Sequence, residues 1–550
     1  MDRRAFLSTK KKPVNNALLT AARPQSGLNP YTGSFTTNEL QHLLKRTMFG
    51  SAKADLDYFK TKTLEQVVDE LLSPTAPLPS PPVNDYNSAV ADPAVSPGQT
   101  WINTPTNDGN INGQRRSSFK KWWIGVLLNQ DRSIREKMTL FWANHFSTEA
   151  NDIGTAHYVY HHHALLRQNA LGNFKQLVKN VTIDAGMLRY LNGYLNTAGA
   201  PDENYARELQ ELFTIGKGPA AQFTEDDIKK AARVLTGWRI NGTSFTTFFD
   251  PSKHDSASKQ FSSFYGGTTI AGKTGAAGAT ETDDLISMIF TSNEVAKFMC
   301  RRLYIWFVYY KIDASVETNI IEPLARLFRT SNYDIKPVLS ALLKSEHFFD
   351  VMNQGCQIKS PADQIIGCLR EFKVDFPNPG TEYVDAYAMW AYIRGWMVSM
   401  TQDLGDPPSV SGWPAYYQEP QFYEIWINSD TLPKRNRFTD TMIASGYTRA
   451  GKKIIIDAVA FTKTFANPSN PDALIDEALN IMYRVPLTAA HKKTIKEQVL
   501  LSNQTSDYYW TDAWNAYIAN PGNMTNFTVV NSRLKTLYQN LMNGAEYQLA

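Results

Sequence analysis

Two segments frame the stretch that decides the fold, which runs from Ile134 to Trp238. The first is Ser133-Ile134-Arg135-Glu136-Lys137-Met138-Thr139-Leu140-Phe141-Trp142-Ala143-Asn144-His145-Phe146. The second is Asp202-Glu203-Asn204-Tyr205-Ala206-Arg207-Glu208-Leu209-Gln210-Glu211-Leu212-Phe213-Thr214-Ile215-Gly216. In the first, Ile134, Met138, Phe141 and His145 recur at i, i+4, i+7 and i+11 and share one helix face, so His145 is expected to point inward. In the second, Tyr205, Ala206, Leu209, Leu212 and Phe213 form an apolar side. Glu203, Asn204, Arg207 and Glu211 lie opposite, with Glu208 at the border. Both segments read as helices that set ionisable side chains against packed apolar surface.

Outward from this stretch the chain is a succession of helix signals. Thr36-Thr37-Asn38-Glu39 has the form of a capping box, predicting a helix to about Met48 with Gly50 as its stop. Helices follow over 52–59 and 64–72. Residues 73–113 are rich in Pro, Asn and Gly and read as a long ordered coil, pinned by Trp101, that covers a groove or wraps the surface. Helices resume near 115–128, and Ser133 with Glu136 forms a second capping box. Residues 161–171, 174–180 and 185–191 are helical candidates. Thr224 caps the next helix, where Glu225, Asp226 and Asp227 face the positive end of the dipole and Ile228, Ala231, Ala232 and Leu235 form the buried stripe. Residues 239–279 change to Thr, Phe, Gly and Ser with alternation at 246–249 and 261–265, which predicts short strands or a hairpin. Helices return over 283–290, 294–307, 320–330, 335–345 (capped by Asp334), 362–371 and 383–400. An irregular segment at 402–433 precedes helices over 433–447, 471–483, 489–502, 511–520 and 530–542.

The expected fold is therefore mainly α, a large multi-helical domain with long irregular loops and a small β-hairpin-like insertion. No repeat of solenoid length is present. The reading divides the chain into a flexible N-terminal segment, 1–34, and a single large helical domain, 35–550, with irregular insertions near 73–113, 239–280 and 401–433. With 43% hydrophobic and 20% charged residues the chain is globular rather than disordered. A net charge of +3 over 550 residues argues against a nucleic-acid partner. No run approaches the ~20 apolar residues of a membrane span, so no transmembrane segment is expected. Cys300, Cys356 and Cys368 permit at most one disulfide, and buried free thiols are the expectation. The start, Met1-Asp2-Arg3-Arg4-Ala5-Phe6-Leu7, has the form of a twin-arginine export signal, but Lys10, Lys11, Lys12 and Pro13 interrupt the apolar region that should follow.

Several segments together resemble one family. They are His42-Leu43-Leu44-Lys45-Arg46-Thr47-Met48-Phe49-Gly50, Phe141 to Phe146, Glu203 to Leu209 through Gly216, Ala232-Arg233-Val234-Leu235-Thr236-Gly237-Trp238, His254-Asp255, Pro407-Pro408-Ser409-Val410-Ser411-Gly412-Trp413-Pro414 and Glu546-Tyr547-Gln548-Leu549. The chain resembles the DUF1800 family of large bacterial proteins of unknown function, over nearly its whole length. The family usually has Asn where this chain has Asp202, and His where it has Ala143; the second departure removes half of a paired-histidine metal motif. The resemblance implies a periplasmic or exported location, since members are often exported with an RR-type start. The weak apolar region here leaves a cytoplasmic one open. The resemblance implies no activity.

The chemistry candidates follow from residue type and spacing. Glu208 and Glu211, at i and i+3, can face one point, which suits a divalent-metal clamp or an acid/base pair; a buried Arg–Glu network is the competing reading. His145 is a ligand or proton carrier, or a core histidine on a carboxylate. Arg207 would hold a carboxylate or an anionic substrate, and His254-Asp255 adds a second titratable pair. The catalytic expectation is thus His145, Arg207, Glu208, His254 and Asp255, and the metal expectation Glu208, Glu211 and His145, with the cofactor otherwise unknown. His157 and His161-His162-His163 read as surface histidines ahead of metal ligands. Neither a His-Glu-x-x-His nor a Gly-x-Ser-x-Gly motif occurs, and Gly272-Lys273-Thr274 lacks P-loop spacing. Trp413, Tyr416, Tyr417 and Trp426, among prolines, form either a glycan or protein platform or a loop stapled to the core. Two functions compete: an envelope-associated hydrolytic or metal-dependent enzyme centred on the charged helices, and a non-enzymatic binding or scaffold protein for a glycan or an envelope protein partner.

Overall fold

The computed structural model describes residues 26–413 and 424–550. The RR-type start, Tyr416 and Tyr417 lie outside the described residues. The architecture is mainly helical, with three separate two-stranded antiparallel hairpins.

Local sequence accounts for most helix boundaries. Helix α1 (Thr37–Thr47) begins with the predicted capping box: the Thr36 hydroxyl accepts from the first turn, and the Glu39 carboxylate accepts from the Thr36 N–H at 2.9 Å. The chain then leaves through Gly50 at φ +76°, where a Cβ would lie 2.6 Å from the Gly367 Cα. Helix α2 (Gly109–Leu128) starts earlier than its composition suggests. Asp108 caps it, accepting from the Ile111 N–H at 2.9 Å, and this offsets the poor helix propensity of Gly109 and Gly113. The preceding coil wraps the surface as expected. It is held by fully buried Trp101 and by the interior ion pair of Asp92 with Arg115 at 2.7 Å.

Helix α3 (Arg135–His145) carries the predicted inward face: Ile134, Met138, Phe141 and His145 are all buried. Its predicted capping box does not form. Ile134 is the N-cap, and the Glu136 carboxylate is taken instead by the Arg167 guanidinium at 2.8 Å, in the interior. Arg167 comes from α4 (Ala156–Gln168), which packs on α3. A buried guanidinium outbids an N-cap amide for the same carboxylate, because charge-assisted bidentate pairing is the stronger interaction. Helix α5 (Asn204–Glu208) continues, as one rod, into a π-helical turn (Leu209–Thr214) that the sequence reading took as ordinary α-helix. Helix α6 (Glu225–Val234) has the predicted Thr224 cap, with Asp227 completing a capping box.

The insertion after α6 pairs β1 (Trp238–Ile240) with β2 (Thr247–Phe249) and β3 (Lys259–Gln260) with β4 (Thr269–Ile270). The alternation at 261–265 is not a strand. Ser262 is gripped by Asp227 and accepts from the Phe264 N–H, and the chain turns there. Helices α7 (Asn293–Phe307), α8 (Pro361–Glu371), α9 (Tyr383–Ser399), α10 (Thr431–Ala444) and α11 (Met524–Asn543) complete the frame. Helix α9 lies along α2, α10 packs on α11, and α8 touches α2, α9 and α10. The third hairpin, β5 (Tyr447–Arg449) with β6 (Lys452–Ile454), begins at the last residue of the helix expected over 433–447 and was not itself expected. Its turn is Ala450-Gly451, both at positive φ, without the Asn-Gly or Asp-Gly that marks such turns. One apolar core cluster includes residues from Leu40 to Tyr547. Cys300 and Cys368 are buried and, with Cys356, unbridged. No helix among the described residues is long and apolar enough to cross a membrane.

Gly50 is expected to be irreplaceable by alanine. Its positive φ alone costs a non-glycine residue about 1–3 kcal/mol, and the added Cβ also meets the α8 backbone. Chemical denaturation of Gly50→Ala should show at least that loss with an unchanged m-value.

Candidate functional site

His145 ends α3 inside an aromatic box, its ring within about 6 Å of Phe141, Trp142, Phe146, Phe174, Phe213 and Phe298. Its Nε2–H donates to the Phe213 carbonyl at 3.0 Å, inside the π turn, and its buried Nδ1 has no partner. A π turn shifts the carbonyl register, so the histidine takes a carbonyl that the helix leaves available. Burial, and then the charge of Arg302, push the imidazole well below its usual range. A neutral histidine enclosed in this way braces the π turn.

The carboxylates of the same rod face elsewhere. Arg207 pairs with Glu225 at 2.7 Å, Glu203 at 3.1 Å and Glu211 at 3.4 Å, and Glu211 also takes Lys217 at 2.6 Å. These are part-exposed surface pairs, individually worth little. Glu208 is half-buried, and its carboxyl is raised, first by burial and then by neighbouring Glu211. Its charge also reaches Tyr190, whose hydroxyl donates to Glu149 at 2.8 Å.

His254 and Asp255 belong to a third environment, in the β insertion. The fully buried Glu281 carboxylate takes His254 Nε2 at 3.0 Å, Lys259 Nζ at 2.6 Å and the Lys273 N–H at 2.6 Å. His254 Nδ1 lies 2.9 Å from the Thr236 carbonyl. Asp255 receives Arg233 at 2.6 Å; burial would raise its carboxyl, but Arg233 and the Ala257 N–H outweigh it and hold the group below the usual range. The hairpins hang on this network. The structure therefore distributes His145, the Arg207–Glu211 set and the His254–Glu281 set over three places. Among the described residues no group of three or more His, Cys, Asp or Glu side chains is placed to hold a metal ion. The histidine run also disperses. His161 is exposed and shares a face with His157, their rings 4.2 Å apart. His162 and His163 are buried, on Asp184 at 2.8 Å and Arg167 at 3.2 Å, so the surface reading fails for those two.

Trp413 and Trp426 lie in the core, 4% and 1% exposed, with rings 6.4 Å apart. The reason is a backbone dock. Gly412 sits at φ +81° so close to Asn144 of α3 that a Cβ would overlap it, and the Trp413 N–H donates to Asn144 Oδ1 at 2.8 Å. As placed, neither indole offers a face to a glycan.

Two open concavities stand out among the described residues. One, of about 530 Å³, lies between the turn after the π helix and α7, with Ile215, Phe298, Arg302 and Ile305 in its walls. Its Arg301 is paired with Glu317 at 2.5 Å. The other, of about 500 Å³, lies between α2, α9 and the coil at residues 76–83. Its walls carry Trp122, Tyr383, Tyr387 and Trp390, with Asn129, Asp131 and Arg135 at one end. Gly125 of α2 sets the closeness of the helices, since a Cβ there would strike the Trp390 ring at 2.5 Å. Trp122 Nε1 donates to the Ser80 carbonyl at 2.7 Å, and the Val83 N–H donates to the Tyr387 hydroxyl at 3.0 Å, which fixes the proline-rich rim. Neither concavity is lined by His145 or Glu208. The sequence carried one signal for the second, a coil long enough to cover a groove; the aromatics of α2 and α9 read as core.

Two variants probe these placements. Glu281→Ala should cost about 3–5 kcal/mol, because it strands buried Lys259 without a counter-charge, and thermal unfolding would show it. Glu208→Gln should melt at or above wild type at neutral pH. A carboxyl raised in the fold opposes folding above its unfolded pKa, so the difference should vanish below about pH 4.

Comparison with known proteins gives a family without an activity. No curated protein and no solved structure matches the chain. The family model described as "Protein of unknown function (DUF1800)" matches residues 42–549, and the chain belongs to that family.

Proposed function

We propose that this chain is a non-catalytic binding protein, and that the groove between α2, α9 and the proline-rich coil takes a glycan. The observation that carries the reading is a contrast. His145 is enclosed, Arg207, His254 and Asp255 are internally paired, and half-buried Glu208 lines neither concavity, whereas the groove is open. Tyr383, the half-buried ring of the wall, suits the apolar face of a sugar ring, while Trp122, Tyr387 and Trp390 are buried and back the groove. The Asp131 carboxylate and the Asn129 amide oxygen supply acceptors for hydroxyl groups, with Arg135 holding Asp131 in place at 3.2 Å, the pattern of a few placed polar groups on a largely apolar wall. The rim is pre-formed, so little ordering opposes binding.

The test is calorimetry of the full chain against neutral oligosaccharides of the cello-, chito- and malto- series. Saturable binding is expected, weakened about tenfold, or about 1.4 kcal/mol, by Tyr383→Ala and by Asp131→Asn, and unchanged by Glu208→Gln. Absence of saturable binding across the panel, or binding indifferent to both groove variants, overturns the reading. Elemental analysis supplies a separate check: one equivalent of a metal lost in Glu208→Gln would return the enzyme reading to first place.

A further inference from the structure

Beside Trp413 and Trp426 lies a small, partly open cavity of about 40 Å³ whose lining is strongly cationic. Lys45, Arg46, Lys137 and Lys359 all line it, each at most 5% exposed. Two have carboxylates: Lys45 pairs with Glu371, and Lys137 with Asp363. Among the described residues the other two have none. Arg46 spends one nitrogen, Nη2, on the Asn353 carbonyl at 3.1 Å and the Cys356 sulfur at 3.3 Å, and its buried Nε and Nη1 are unpartnered. The Lys359 ammonium stands 4.1 Å from the centre of the Tyr547 ring. Desolvation first, and then repulsion by Lys45, push it down to about 7. Arg435 adds a further buried cation, donating to the Lys359 carbonyl at 2.6 Å.

Among the described side chains, four cations against two carboxylates leave Arg46 and Lys359 without an ion pair on the wall. Uncompensated buried charge costs several kcal/mol per ion, and a chain that needed only packing here would carry apolar side chains. Trp413, also on the wall, has a buried Nε1–H without a partner. A lysine without an ion pair and residues with unpartnered N–H donors, Arg46 and Trp413, therefore line one small space. That space equals roughly three water molecules at ~10–15 Å³ each, which suits a small anionic group and excludes a nucleotide.

We propose that this cavity binds a small, doubly charged oxyanion of the phosphate type, held by Lys359, Arg46 and the indole N–H of Trp413. Arg46 supplies directional N–H donors, and Lys359 supplies a point charge. The site stands apart from the glycan groove and does not depend on it.

The test uses the full chain freed of phosphate and sulfate, titrated calorimetrically with inorganic phosphate and, in a second arm, with glycerol phosphate, against chloride at matched ionic strength. One saturable site is expected, with Lys359→Met weakening it at least tenfold and Tyr383→Ala leaving it unchanged. Lys359→Met should also melt no lower than wild type without anion, and lose the rise in melting temperature that phosphate gives wild type, because it removes a buried charge that only the ligand compensates. Binding of both probes supports a site open to phosphomonoester groups, and binding of phosphate alone supports a site for the free anion. No saturable phosphate binding by folded wild type, equal stabilisation by chloride, or unchanged affinity in Lys359→Met overturns the proposal.

Discussion

Lys45 and Glu371 meet in the interior although 326 positions separate them. A lysine buried beside a carboxylate is tolerable only while the partner stays in place; with either removed, the other is left charged in a poor solvent. The pair therefore demands that α1 and α8 be seated together. Gly50 against Gly367 allows that approach at the end of α1. Arg484 extends the tie, reaching the Asn38 carbonyl at 3.1 Å and the Gln41 side chain at 2.7 Å. Arg435 and Gln548 bring in α10 and the last residues at 2.9 Å. Beginning, middle and end of the chain are thus committed to one polar junction inside an apolar core.

The junction also explains why the stretch from Ile134 to Trp238 is so well ordered around α3. Helix α3 presents Lys137 to the cationic cavity, Asn144 to the Gly412-Trp413 dock and His145 to the π turn. Each contact uses a different face or end of one short helix. Moving α3 would break all three, which gives a helix rich in polar residues a fixed position. Two of the segments that carry the family resemblance reach the same small space, through Lys45 with Arg46 and through Trp413, and Tyr547 of a third stands beside the Lys359 ammonium.

Against that rigid interior, the aromatic groove has a different origin. It exists because a proline-rich coil cannot join a helix or a sheet ladder and so lies along α2 and α9 with its carbonyls turned to side chains. Trp122 and Tyr387 fasten that coil. A pre-formed rim follows from the same packing.

The helix inventory was legible from the residues alone. Thr36 with Glu39, Thr224 with Asp227 and the inward face ending at His145 are all observed, because a cap or a stripe depends on neighbours within a turn or two of the same chain. Where a local signal met a distant competitor it failed: Glu136 left its cap for Arg167, and the alternation at 261–265 gave way to Asp227 holding Ser262. The Ala450-Gly451 turn carried too weak a signal to reveal its hairpin. The candidate site was less legible still. Residue types suited to chemistry were visible, but whether His145 faces a substrate or the Phe213 carbonyl, and whether Trp413 faces solvent or Asn144, was not. The sequence by itself determined the helices, their inward faces and the family; only the tertiary structure decided the partners of each charge and each indole, because those partners arrive from other segments, near and far along the chain, and the energy of a charged or polar group depends on what surrounds it.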